Sequence, residues 1–325
     1  MKLLVTGGAG YIGSICVEEL INAGFSVVVL DNLSEGHRAA VDKRAEFVRA
    51  DLADRESLPK ILAQSRTEAV MHFAGNALVP ESMRNPAKYF RNNFVNGFHL
   101  LDAMREVGMN KIVFSSTCAI FGTPERLPIT EEMPKNPVNP YGESKLMFEK
   151  LLRWYDELHG IRSVSLRYFN AAGATEKFGE HHVEETHLIP RVLQVALGQA
   201  PSATIFGTDY PTPDGTCIRD YVHIVDLAQA HILALKKLEQ GSAAYNLGNG
   251  DGYSVRQVIE AARQITGHKI PVEERPRRAG DPPRLVGSAE KIRRELGWKP
   301  KFPRIEEIVE SAWHWHKKHP RGYEM

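Results

Sequence analysis

Short, uninterrupted apolar runs recur through the first half of the chain, at residues 3–5, 27–30, 47–48, 69–72, 112–114 and 164–166. Between them, at residues 11–22, 58–64, 89–107 and 141–159, apolar side chains fall three and four apart. Runs without polar alternation predict strands covered on both faces, and the helical spacing predicts the amphipathic helices that cover them. Repeated strand–helix alternation of this kind predicts an α/β fold, a Rossmann-like, doubly wound parallel sheet. After about residue 172 the rhythm breaks. Proline and glycine thicken at residues 209–215 and 275–283, and shorter strands (204–206, 244–246, 270–272) mix with helices at 188–197, 225–238, 255–266 and 305–317. The expected division is a first domain over residues 1–172, with residues 221–240 returning to it. A smaller α/β substrate region spans residues 173–325.

Composition narrows the partners. The 41 Lys and Arg against 40 Asp and Glu leave a formal charge of +1, with no basic excess for a phosphate backbone, so nucleic acid is not expected. No apolar run approaches the roughly 20 residues of a membrane span. Lys2 is followed at once by Leu3-Leu4-Val5, which reads as a first buried strand and not as the core of a leader. Cys16, Cys118 and Cys217 are odd in number and widely spaced, which fits a reduced, cytoplasmic protein.

The first strand runs into Thr6-Gly7-Gly8-Ala9-Gly10-Tyr11-Ile12-Gly13, where Gly8, Gly10 and Gly13 satisfy G-x-G-x-x-G and Gly7, Gly10 and Gly13 a looser spacing. Such a pattern alone is also that of a glycine-rich turn. Here it follows a predicted strand and opens a predicted helix, the context in which glycines let a dinucleotide diphosphate approach the backbone and the helix N-terminus. Asp31 ends the second strand, 18 residues after Gly13. A carboxylate there accepts the adenosine ribose hydroxyls and repels a 2′-phosphate, and no Arg or Lys follows within residues 32–36, so NAD is expected over NADP.

Tyr141 and Lys145 lie four apart at the start of the helix that follows the fifth strand, and that strand ends in Ser115-Ser116-Thr117. Residues four apart share a helix face. Parallel strands deliver their C-terminal ends to the cofactor crevice. A hydroxyl, a phenol and an ammonium are therefore expected to meet there, with the lysine lowering the tyrosine pKa toward neutrality and making it a general base.

With the glycine loop, the Ser/Thr-Tyr-Lys set and the two-part chain together, the sequence resembles the extended short-chain dehydrogenase/reductase family, and within it the UDP-hexose 4-epimerases. The carrying segments run in order from end to end: Asp31-Asn32-Leu33, His72-Phe73-Ala74-Gly75, Asn92-Asn93, Asn139-Pro140-Tyr141-Gly142-Glu143-Ser144-Lys145 and Leu166-Arg167-Tyr168-Phe169-Asn170. Phe206-Gly207-Thr208-Asp209-Tyr210-Pro211-Thr212, Arg219-Asp220-Tyr221-Val222-His223 and Arg277-Arg278-Ala279-Gly280-Asp281 complete them.

The resemblance implies a resident NAD and interconversion of UDP-glucose and UDP-galactose through a transient 4-keto sugar. Tyr141 takes the proton of the sugar 4-hydroxyl, Thr117 assists, and Lys145 binds the nicotinamide ribose. The implied cofactor contacts are Gly7, Gly10, Tyr11, Ile12, Gly13, Asp31, Asn32, Asp51 and Leu52 at the adenosine and diphosphate side. Phe73, Ala74, Gly75, Asn92, Ser115 and Tyr168 join Tyr141 and Lys145 along the rest. The implied substrate contacts are Thr117, Asn170, His187, Leu188, Phe206, Arg219, Tyr221, Arg278 and Asp281, with the arginines on the diphosphate and Asp281 on the uridine ribose. The family also implies a homodimer through the helices at 89–107 and 141–155.

Several positions depart from the family pattern. Some members carry a lysine just after Phe-Ala-Gly, where this chain has Asn76-Ala77-Leu78; Phe121 stands where tyrosine is common. Leu285, four after Asp281, stands where a bulky aromatic is associated with exclusion of N-acetylated sugars, so room for UDP-N-acetylhexosamines is expected. A 4,6-dehydratase of the same fold is the nearest rival, but such enzymes place an acid one or two residues after the catalytic threonine, and Cys118-Ala119 supply none. His181, His182 and His187, and His314, His316 and His319, are expected to be ordinary loop and helix residues, with no metal, because no carboxylate or cysteine offers a convincing ligand spacing.

Overall fold

The computed structural model describes residues 1–278 and 281–324. Its strands are β1 (Lys2–Thr6), β2 (Ser26–Asp31), β3 (Glu46–Arg49), β4 (Ala69–His72), β5 (Lys111–Thr117), β6 (Arg162–Tyr168), β7 (Asn170–Ala172), β8 (Ala203–Phe206), β9 (Ile218–Arg219), β10 (Tyr221–His223), β11 (Ala243–Leu247), β12 (Tyr253–Ser254), β13 (Val272–Arg275) and β14 (Arg284–Leu285). The helices are α1 (Tyr11–Asn22), α2 (Leu58–Ser65), α3 (Val79–Arg84), α4 (Pro86–Tyr89), α5 (Asn96–Glu106), α6 (Pro140–His159), α7 (Leu188–Ala196), α8 (Ile224–Lys237), α9 (Val255–Thr266), α10 (Glu290–Leu296) and α11 (Ile305–Lys318).

The seven-stranded central sheet is parallel throughout and runs β11-β6-β5-β4-β1-β2-β3. Successive side chains of a strand point to opposite faces, and the sequence obeys this closely. Leu3, Val5, Val27 and Val29 join a core with α1 and α8, whereas Leu4, Val28 and Leu30 join the other core with α2, α5 and α6. Burying each such side chain contributes roughly 1.5–3 kcal/mol. A third apolar cluster, built on α7, α9 and α11 through Val192, Ile259, Ile308 and Trp313, holds the C-terminal region.

Strand order reverses between β1 and β4, so their C-terminal ends open a crevice at the switch point. β11 and α8 come from the less regular half of the chain yet serve the first half: β11 pairs with β6, and α8 packs on α1. The helix expected over residues 89–107 is interrupted. Phe90–Val95 form a π-helix between α4 and α5. Such insertions re-aim side chains at sites, and this one carries Asn92 and Asn93. The strand expected at 270–272 lies further on, at Val272–Arg275, paired with β8.

Candidate functional site

The glycine loop is a cradle that side chains would fill. A Cβ on Gly13 would stand 2.2 Å from the Gly7 carbonyl oxygen, and one on Gly7, whose φ is +73°, would stand 2.5 Å from the Ala74 nitrogen. Gly10 is the N-cap of α1 and offers no side-chain cap, so the first N–H groups of that helix face the crevice with the positive end of its dipole. Asp31 sits beside the loop, buried, its Oδ2 accepting from Ala9 N–H at 3.0 Å and its Oδ1 from Leu33 N–H at 2.8 Å. Those bonds fix the carboxylate and leave each oxygen a lone pair for a ribose hydroxyl. Asn32 donates to Asp51 at 2.8 Å, which joins the ends of β2 and β3, and Leu52 lies buried just beyond. Phe73 and Ala74 donate to the Thr6 carbonyl at 2.9 and 3.1 Å, laying the segment after β4 along the loop. These donors and acceptors fit a dinucleotide.

The reacting groups collect at the C-terminal end of β5. Thr117 ends that strand and Tyr141 opens α6, with the Thr117 hydroxyl near enough to the phenol to oppose the rise in its pKa. Lys145, one turn on and buried, donates to the Ser115 carbonyl at 2.9 Å and lies over the Phe114 ring. Burial lowers its pKa to about 8. Burial also pushes the Tyr141 phenol up to about 12, opposed by the Thr117 hydroxyl. That reverses the expected direction for Tyr141: Lys145 is held at a backbone carbonyl, and desolvation of the phenol outweighs the help that the phenolate receives. Ser115 and Tyr168 are hydrogen-bonded to each other through their hydroxyls.

Several residues that position this group escaped the sequence reading. Glu149 on α6 takes a bidentate pair from Arg167 on β6 at 2.9 and 2.6 Å and a hydroxyl from Ser116, all buried. That pair locks the helix carrying Tyr141 against the strand ends. Asn93, buried, bonds the Asn76 backbone through both amide atoms and reaches Ser144 at 3.0 Å, beside Lys145. Asn92, the expected ligand, bonds the Asn76 side chain at 2.7 Å on the wall of an open cavity of about 500 Å³. Lys88, held by Glu81 at 2.7 Å and Glu35 at 3.2 Å, lines the same cavity.

Among the residues expected to meet the substrate, Arg219 and Asp281 are paired with each other at 2.8 Å. Arg278 lies over the Phe206 ring at 3.9 Å, while Ala279 and Gly280 fall outside the described residues. Asn170 donates to the Asp220 carbonyl at 2.8 Å. Asp220 itself is a buried hub that accepts from Asn249, Gly250 and Gly287 N–H groups at 2.7, 3.2 and 3.1 Å. Burial raises its pKa to about 6. Tyr221 is buried beside it, and Leu285, in register with Arg219, packs, as Cys118 does, against the cluster of Ile120, Phe121 and Phe169. Burial lifts the Cys118 thiol to about 12, consistent with no chemical role.

Two expected contacts are placed differently. The Tyr11 hydroxyl is committed to the Gly173 carbonyl at 2.7 Å, so its ring ties the glycine loop to the segment after β7. His187 precedes Leu188 at the start of α7, but its Nδ1 turns to Glu180 and Glu185, both at 2.9 Å. Those two carboxylates also meet His182, so carboxylates approach histidines that the sequence spacing left without them. The spacing that hid them is an irregular loop, where sequence distance says little about approach.

Residues 3–248 match the model of the NAD dependent epimerase/dehydratase family. The chain belongs to that family. A curated relative from Lacticaseibacillus casei, named UDP-glucose 4-epimerase, is 52% identical over 99% of each chain. A crystal structure of a UDP-glucose 4-epimerase superposes with a TM-score of 0.98 at 50% identity, covering 100% of both chains. One from Brucella ovis, in complex with NAD, gives 0.94 at 44% identity, covering 97% of this chain and 98% of that one. The chemistry of that family is NAD-dependent.

Proposed function

We propose that the chain is an isomerase that interconverts UDP-glucose and UDP-galactose at C4 with a resident NAD. The observation that carries this reading is the meeting of Thr117, Tyr141 and Lys145 at the end of β5, beside the glycine cradle, with no carboxylate at residues 118 or 119. Bound there, NAD supplies a reversible two-electron acceptor for the sugar carbon.

The chain's own residues do the rest. The N–H groups of Tyr11, Ile12 and Gly13 take the cofactor diphosphate, and Asp31 takes the adenosine ribose. Asp51 and Leu52 border the adenine, Phe73, Ala74, Gly75 and Asn92 line the path, and Lys145 holds the nicotinamide ribose. Ser115 and Tyr168 close the floor. Lys88, in the cavity with Asn76 and Asn92, takes the place of the lysine absent after Gly75. Tyr141, bridged by Thr117, receives the 4-hydroxyl proton as C4 becomes a ketone, and returns it once the ketone has turned its other face. A phenol raised by burial is a poor base alone; a cationic ring bound nearby favours the phenolate and lowers its pKa. Asn170, Arg219 and Arg278 hold the UDP diphosphate, Asp281 the uridine ribose, and His187, Leu188, Phe206 and Tyr221 the remaining walls. Arginine forks suit phosphate oxygens.

In this reading residues 1–172, joined by 221–240, bind NAD and residues 173–325 mainly bind the nucleotide sugar. No helix among the described residues is long and apolar enough to cross a membrane, which agrees with a cytoplasmic site of action. Val95 and Phe98 at α5 and Trp154 and Leu158 on α6 are exposed apolar residues on neighbouring helices, which supports a homodimer through that face.

Purified protein given UDP-galactose should yield UDP-glucose; a 4-keto-6-deoxy product would instead establish the dehydratase. Leu285 leaves space beside the sugar, so UDP-N-acetylgalactosamine should also turn over, and Leu285→Tyr should suppress that activity by about tenfold or more relative to UDP-galactose. Lack of any N-acetylhexosamine turnover in the parent protein would refute the specificity reading alone.

A further inference from the structure

The loop between β7 and α7 gathers a second constellation, apart from the Thr117–Tyr141–Lys145 group. Glu180, His182, Glu185 and His187 each offer one ligating atom, and those atoms all lie within 4.8 Å of one another. His187 Nδ1 lies 2.9 Å from Glu180 Oε1 and 2.9 Å from Glu185 Oε1. His182 Nδ1 lies 3.2 Å from Glu185 Oε2 and 3.4 Å from Glu180 Oε1. A tetrahedral zinc ion takes imidazole nitrogen and carboxylate oxygen at about 2.0–2.2 Å, which sets its ligand atoms about 3.3–3.6 Å apart along the tetrahedron's edges. The four nitrogen–oxygen distances, from 2.9 to 3.4 Å, lie at or below that figure, and Glu185 meets His187 with Oε1 and His182 with Oε2, so a small side-chain adjustment around an ion would complete the shell.

An ordinary pair of ion pairs explains the arrangement less well. Both imidazoles present the same nitrogen to the same two carboxylates, with ring centroids 5.1 Å apart. Held by protons alone, the cluster would set two imidazolium rings side by side. The carboxylates are also nearly buried, with Glu180 and Glu185 side chains 6% and 7% exposed. Burying two such charges demands full compensation. A single divalent cation neutralises both carboxylates and uses both rings in their neutral form.

We propose that Glu180, His182, Glu185 and His187 form a structural site for one zinc ion. Mixed imidazole and carboxylate donors select zinc over magnesium or calcium, which take oxygen shells. Four protein ligands fill a tetrahedron and leave no open position, so the ion holds structure and does no chemistry. An outer hydrogen bond already orients the set, from His187 N–H to Glu185 Oε1 at 2.7 Å.

The placement gives the ion a purpose. The His182 ring meets the Tyr11 ring edge-on at 6.4 Å. Tyr11 opens α1 directly after the glycine loop, and its hydroxyl holds Gly173. Leu188, next after His187, begins α7. Zinc at this point clamps the whole segment from Gly173 to α7 against the cofactor loop, and it does so whichever nucleotide sugar the site accepts.

The test uses full-length, untagged protein, dialysed against a chelator, loaded with Zn²⁺ alone and freed of excess by gel filtration. About one zinc per chain and a raised Tm are expected. Glu180→Gln combined with Glu185→Gln should lower retained zinc at least tenfold. Loading with Co²⁺ in place of Zn²⁺ should give the intense visible absorption of a tetrahedral site, which reads the coordination of the parent protein even if the double variant does not fold. Retention of less than about a tenth of an equivalent by the parent protein, a weak octahedral cobalt spectrum, or undiminished zinc in the folded double variant would overturn the proposal.

Discussion

The two halves of the crevice are built on different terms. On the side proposed for the cofactor each key residue stands at the end of a regular element: Gly7 after β1, Asp31 at the end of β2, Phe73 after β4, Thr117 at the end of β5, Tyr141 at the start of α6. On the substrate side the elements are two or three residues long, as in β7, β9 and β10, and buried polar ties hold the loops instead. Asp220 fastens two loop segments, at Asn249–Gly250 and at Gly287, and Arg219 bonds the Ile218 and Pro282 carbonyls as well as Asp281. A position set by an element's end survives loss of its own side chain, because the sheet places it. A position set by a buried tie does not. Substitutions on the first side should therefore change chemistry without changing the fold, and those on the second should change both.

The largest expected effect lies on the cofactor side. Tyr141→Phe should lower kcat by about 10³-fold, the usual range for a lost general base being about 10²–10⁴. Bound NAD and Tm should be unchanged, because Tyr141 occupies a helix start that Asn139 caps from outside. Activity equal to that of the parent protein would refute the assignment.

Next comes the tie that the cofactor side does own. Glu149→Gln breaks a buried bidentate pair and leaves Arg167 uncompensated, at a cost of about 3–5 kcal/mol in urea unfolding. A cost under about 1 kcal/mol would mean that the pair is solvated in solution and does not lock α6.

The substrate-side hub makes a pH prediction. The folded Asp220 carboxyl titrates near 6, above its ordinary value of 3.8. Its contribution to stability is therefore full below about pH 4 and is lost as pH rises to about 6, because the folded state holds the proton over that window and the unfolded state does not. The loss is about 3 kcal/mol, at about 1.4 kcal/mol for each pH unit of that window. Asp220→Asn cannot titrate, so the difference in stability between parent and variant should shrink by that amount from pH 4 to pH 6. A pH-independent difference would show that Asp220 is not held as a buried acid.

The same contrast explains how much the sequence revealed. Unbroken apolar runs and helical spacing placed the first six strands of the central sheet, and the glycine spacing, Asp31 and the Tyr141–Lys145 step picked out residues that the fold brings to the strand ends. The π-helix at Phe90–Val95 was invisible because its residues carry an ordinary helical pattern; only its effect, the inward turn of Asn93, marks it. β11 read as a short strand of the second region, since neighbours in a sheet need not be neighbours in sequence. The Asp220 hub and the Glu180–His187 cluster depend on loops whose approach no periodicity encodes.

The mechanism rests on a cofactor that stays in place between turnovers. Purified protein, gel-filtered free of small molecules, should be denatured for assay of released NAD and, in parallel, given UDP-galactose with no cofactor added. About one NAD per chain together with sustained UDP-glucose formation is expected. Conversion that requires added NAD, with none released on denaturation, would contradict a resident cofactor and indicate a net dehydrogenase on the same fold.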